Sequence, residues 1–135
     1  MDDYIDLIRA AHLASAYPRE LPSDDQIVEV EEQVLMPLPD DLRAFLLTVS
    51  DVICGALEPV TAADPNENTY LPEVAAIAWD QGLPRFLLPI CAYAGGYYYI
   101  DPDGGVGCWS EGEPEEGEVQ WPNIWEWATE IWVNS

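Results

Sequence analysis

The sequence predicts an α+β fold: a mainly antiparallel sheet with flanking helices, built as one domain. Three observations lead there. Apolar residues recur at three- and four-residue spacing through the first fifty positions. Two runs of β-formers, "YYYI" and "VGCW", flank the turn sequence "DPDGG". Helical spacing then returns in the tryptophan-rich "WPNIWEWATEIW". A chain of 135 residues has room for one core, and its 34 Leu, Ile, Val and Phe residues are enough to build it.

Taken in order, Tyr4, Leu7, Ile8, Ala11 and Ser15 fall on one helical stripe, with Asp2 or Asp3 available as cap. "YPRELPS" interrupts it with two prolines. "SDDQ" (residues 23–26) has the form of a capping box, and Ile27, Val30 and Val34 carry a second helix onward. "MPLPDD" stops that helix. A third begins near Asp40 and turns Leu42, Phe45, Leu46 and Val49 inward. "VICGALEPV" (residues 52–60) has the composition of a short strand, and "TAADPNENT" that of a turn-rich loop. "LPEVAAIAWDQGLP" predicts a short helix from Pro72, ended by Gly82 and Pro84. "RFLLPICAYA" predicts a buried strand that Pro89 confines to a sheet edge or bulge. Gly95 and Gly96 precede the hairpin, where a sharp turn or bulge requires positive φ. The last helix starts near Pro122 with Trp121, Ile124, Trp125, Ala128, Ile131 and Trp132 on its apolar stripe. Trp127 lies off that stripe.

Charge narrows the function. Twenty-six carboxylates face four arginines and no lysine, for a net charge of -22. Such a chain repels nucleic-acid phosphate and anionic membrane, and favours cationic partners; charge of this kind also serves plain solubility. The N-terminal "MDDYIDLIRAAHLAS" lacks a basic segment followed by an apolar run, and no stretch is long and apolar enough to span a membrane. Cys54, Cys91 and Cys108 form an odd, unpaired set, which fits a reduced cytoplasmic protein with buried thiols.

No reactive constellation assembles. Counted as a calcium loop from Asp101, position six is Val106 and position twelve is Gly112, where glycine and glutamate are needed. Counting from Asp64 gives Thr69 and Ala75 and fails likewise. The three cysteines are too dispersed for zinc, and His12 is the single imidazole, so neither a metal nor a cofactor is expected. A Cys–His nucleophilic pair would have to recruit His12 from the first helix. Among so many acids, no glycosidase-type carboxylate pair stands out. "SEGEPEEGE" holds five glutamates and is either a solvated insertion or a cation-seeking tip. In the "YYYI" strand, Tyr98 points opposite to Tyr97 and Tyr99, and an exposed aromatic there or at Trp127 would mark an interface.

"LPDDLRAFLLTVSD" (residues 38–51) resembles the leucine-proline and acidic-helix segment of the SUKH superfamily, which includes the yeast Smi/Knr cell-wall regulators. "LLPICAYAGGYYYIDPDGGVGCWSEGE" is similar to that family's core strands, and "WPNIWEWATEIW" to its C-terminal helix. The likeness runs from about residue 21 to 132. Family members often carry aspartate where Gly96 stands here. The resemblance implies a SUKH-like α+β domain with non-enzymatic, protein-binding work. Many bacterial members are immunity proteins that neutralise a cognate polymorphic toxin, frequently a nuclease; the yeast relatives suggest a regulatory scaffold instead. The expected partner is therefore a basic protein, a toxin domain, met by Glu111, Glu113, Glu115, Glu116 and Glu118 with Asp101 and Asp103 of the hairpin turn. An exposed Tyr97, Tyr99 or Trp127 would add desolvated contact. The oligomeric state is left open.

Overall fold

The computed structural model describes residues 2–13, 19–110 and 118–135. Its elements follow the order α1 (Asp2–Ala10), α2 (Asp24–Val34), α3 (Asp40–Val49), α4 (Leu71–Gln81), β1 (Leu88–Tyr93), β2 (Gly96–Ile100), β3 (Val106–Ser110) and α5 (Ile124–Trp127). A π-helical turn, Ala128–Trp132, continues α5. The three strands form an antiparallel meander, β1-β2-β3, so the α+β expectation holds.

Local chemistry sets most boundaries. The Ser23 hydroxyl accepts from the Gln26 N–H, and the Gln26 side chain accepts from the Ser23 N–H, closing the capping box at the start of α2. Pro72 sits in the first turn of α4, and Gly82 ends that helix at φ 117. Pro89 lies on the edge strand β1, where the register with β2 shifts between Pro89 and Cys91. The four inward residues of α3 are all buried.

The stretch expected as a strand at residues 52–60 is instead an irregular segment. Gly55 takes φ 61, Pro59 has no N–H to give a ladder, and the N–H groups of Ala56 and Leu57 go to Ser135 Oγ at 3.0 and 3.2 Å. Its pairing with β1 is confined to an isolated bridge of Pro59 opposite Cys91 and the Val60 N–H donating to the Ile90 carbonyl at 2.8 Å. The α1 stripe ends earlier than its periodicity suggests, at Ala10, and Ser15 lies outside the described residues.

Both faces of the sheet are covered. Tyr97, Tyr99 and Trp109 pack with Ala78, Leu83 and Leu87 beneath α4. On the opposite face, the Tyr98 ring lies 5.3 Å from that of Trp127 and 5.9 Å from that of Trp121. Further out, Phe45 of α3 stands 5.8 Å from Trp125 and 5.6 Å from Trp132. The α5 segment is thus enclosed by α3 on one side and the sheet on the other. That two-sided packing corrects the expectation of an exposed Trp127, which is fully buried. The indole N–H groups of Trp109, Trp125, Trp127 and Trp132 have no acceptor among the described residues. A lost hydrogen bond of this kind costs about 1–3 kcal/mol, which the large apolar area of each indole offsets.

Candidate functional site

The hairpin turn is organised by Asp101. Its Oδ1 accepts from the N–H groups of Asp103 and Gly105, both at 2.9 Å, while its own N–H donates to the Gly105 carbonyl at 2.9 Å. Gly104 supplies the left-handed residue that closes the turn, at φ 94. Asp101 therefore shapes the turn, and Asp103 projects from it into solvent.

The turn rests against the start of α3. Pro102, Asp103 and Gly104 face Pro39, Asp40 and Asp41 across a cleft of about 310 Å³. A neighbouring groove of about 410 Å³ runs from Met36 and Pro37 past Phe86 to Asp101 and Pro102. A third hollow joins Phe86, Tyr99 and Pro102 to Val119. Glu118, exposed, precedes Val119 in sequence. The structure brings Asp101 and Asp103 together with Asp40 and Asp41, which sequence reasoning had used only to start a helix. The "LPDD" segment carried the signal: a rigid Pro-Leu-Pro turn followed by two acids at a helix N-terminus, where the macrodipole favours negative charge.

The remaining site expectations separate cleanly. Glu111, Glu113, Glu115 and Glu116 lie outside the described residues. Tyr97, Tyr99 and Trp127 are buried, so none of the three offers an exposed contact. Strand alternation sends Tyr97 and Tyr99 to the α4 face, and Trp127 closes the other face from above Tyr98.

All four arginines are engaged inside the molecule. Arg9 pairs with Asp51 at 2.7 Å, Arg43 with Glu31 at 2.9 Å, and Arg19 with Glu58 at 3.4 Å. Arg85 lies over the Trp79 ring at 3.7 Å and donates to the Val34 carbonyl at 2.6 Å. No arginine is among the residues lining the three hollows around the turn.

The thiols pack in the interior or partly so, and the exposed imidazole caps a backbone N–H. His12 Nδ1 accepts from the Ile53 N–H at 3.0 Å. Burial pushes up the Cys54 and Cys108 thiols, and drives Cys91 up to about 12. A nucleophile needs the opposite shift. The native protein at pH 8 should therefore leave Cys91 unlabelled by iodoacetamide, while the urea-unfolded chain labels at once. Because the folded thiol holds its proton well above the ordinary value near 9, stability should fall as pH rises from there towards about 12. The slope from this group is at most about 1.4 kcal/mol per pH unit, and Cys91→Ala should remove it from urea titrations.

Among the described residues, no group of three or more His, Cys, Asp or Glu side chains is placed to hold a metal ion, and no helix is long and apolar enough to cross a membrane. The chain matches the SUKH_5 family model, SMI1-KNR4 cell-wall, over residues 1–133. A crystal structure of a protein from Pseudomonas syringae pv. tomato is similar at 45% identity and TM-score 0.93, with 100% of each chain covered. No curated protein matches. The family match over nearly the full length, together with the antiparallel meander and its enclosing helices, shows that the chain belongs to the SUKH superfamily, among its SMI1-KNR4 members.

Proposed function

We propose that the chain is a non-enzymatic binding protein of the immunity type, which neutralises a cationic toxin domain through its acidic face. The observation that carries this reading is the meeting of Asp40, Asp41, Asp101 and Asp103 around one set of clefts, with no arginine in the lining. The net charge of -22 supports it. Negative potential of this size raises the encounter rate with a basic protein by orders of magnitude at low salt, and an acidic inhibitor imitates the phosphate that a nuclease grips. The Glu111, Glu113, Glu115, Glu116 and Glu118 run extends the same charge along the chain. Family membership favours protein recognition, in which both immunity proteins and regulators take part.

Affinity capture tests the proposal. The tagged protein is passed through lysate of its own host at about 50 and 500 mM salt, a range over which the Debye length shrinks severalfold. A stoichiometric basic protein, released at the higher salt, is the expected result. Reversing the five loop glutamates to lysine should then slow its association and flatten the salt dependence. Neutral or acidic host proteins retained at both salts would favour a regulatory scaffold and overturn the toxin reading.

A further inference from the structure

We propose that the groove between the α2–α3 loop and the hairpin turn docks a partner segment pairing an apolar anchor with flanking Arg or Lys side chains. The proposal rests on the partner-binding reading above and adds where the partner's chain is gripped and what chemistry grips it.

Next in sequence to Met36, which lines the groove, is a residue whose placement the fold does not favour. Leu35 ends α2 at φ 60 and ψ 34, the only left-handed residue other than glycine among those described, and the residue is 80% exposed. Glycine or asparagine ordinarily takes this position, because a β-carbon strains the left-handed backbone. A leucine that is strained and also unburied serves the monomer poorly, and such outliers concentrate at binding sites. Close by, Phe86 is 51% exposed and faces Met36 across the groove. Arg85 ties this strand approach to α2 through the Val34 carbonyl. Glu31 accepts from the Leu38 N–H at 2.8 Å and from Arg43 at 2.9 Å, fixing the loop on the other side. The walls are therefore set before any partner arrives, which lowers the ordering cost of binding.

Charge selects the occupant. Asp40 and Asp101 are among the residues lining the groove, the latter with its Oδ1 held by the turn, and Asp41 and Asp103 line the adjoining cleft. A second copy of the chain would bring its own charge of -22 against them, and an anionic lipid surface would be repelled in the same way. A segment with aliphatic or aromatic side chains for Leu35, Met36 and Phe86, and cations for the aspartates, meets both halves of the surface.

The probe is a synthetic Arg-Leu-Arg-Phe-Arg peptide, titrated into the ¹⁵N-labelled full chain at about 150 mM salt, where surface charge is screened beyond about 8 Å. An Arg-Ser-Arg-Ser-Arg peptide of equal charge is the reference. Amide shifts should cluster at residues 35–41, 86–88 and 100–103. The apolar peptide should bind on the order of tenfold tighter than its serine counterpart, as burial of one or two apolar side chains supplies. Phe86→Ser should erase that difference. Leu35→Gly should weaken binding while raising Tm by about a few degrees, since it relieves the left-handed strain.

Equal affinity for the two peptides, shifts spread evenly over the acidic surface, no binding, or self-association through the groove on sedimentation would each overturn the proposal. A Tm that falls on Leu35→Gly would assign that leucine to the fold and remove it from the groove. The parent reading fails by a different result. A salt-sensitive basic partner captured by a protein whose groove ignores the peptide refutes the groove alone. A groove that takes the peptide in a protein capturing only neutral partners refutes the toxin reading alone.

Discussion

Trp127→Ala should cost about 3–5 kcal/mol of stability, the range for removing a large aromatic from a packed interior. Trp127 is fully buried and stands against the Tyr98 ring at 5.3 Å, at the point where α5 meets the sheet. Removing it opens a cavity between two layers that cannot collapse together, because Phe45 holds the far side of α5 through Trp125 and Trp132. Against the roughly 5–15 kcal/mol available to a small domain, this is a large share. Urea melts of the variant, with Trp127→Phe as a partial replacement, measure it. A loss below about 0.5 kcal/mol, the range of an exposed substitution, would show that Trp127 lies at the surface after all.

The second large effect is expected at Gly96. A β-carbon there would collide with the Trp109 carbonyl and lie 3.0 Å from the Ser110 Cα, so it meets backbone that cannot step aside. Gly96→Ala should cost about 3 kcal/mol, at the upper end for overpacking, by prising β2 from β3. Gly95→Ala is the control. Gly95 takes φ 91 with nothing within 4 Å of its would-be β-carbon, so only backbone strain of about 1–2 kcal/mol applies. The two adjacent glycines are thus required for different reasons, and denaturant midpoints of the two variants should separate them. Equal losses would contradict the close β2–β3 approach.

Much of the fold was legible in the sequence because its determinants are local. The Ser23–Gln26 box, the proline in the first turn of α4, the Gly82 terminator and the "DPDGG" turn each act within a few residues. Pro89 announced the edge strand and its bulge because a missing N–H has the same consequence in any sheet. What failed depended on distant partners. Residues 52–60 have β-forming composition, but the N–H groups of Leu57 and Ala56 are taken by Ser135, seventy-eight and seventy-nine positions away, and that of Ile53 by His12. Trp127 lay off the helical stripe because one stripe presumes one buried side, and α5 has two.

The candidate face was legible only in part for the same reason. Asp101 and Asp103 announced themselves through turn chemistry, whereas Asp40, Asp41, Leu35 and Phe86 join them only once α3, the end of α2 and the approach to β1 have packed. The exposed aromatic that the sequence suggested at Tyr97, Tyr99 or Trp127 is supplied instead by Phe86, fifty positions after Met36 of the same groove.

Inhibition of a basic toxin is decided by titrating that toxin's activity. The basic protein recovered by capture is assayed, by its toxicity in cells or by its chemistry in solution, against increasing amounts of the chain. Activity should be lost completely at one equivalent, with the required excess growing as salt weakens the complex. Full activity at saturating amounts of bound chain would contradict it, and would leave a protein that recruits its partner without silencing it.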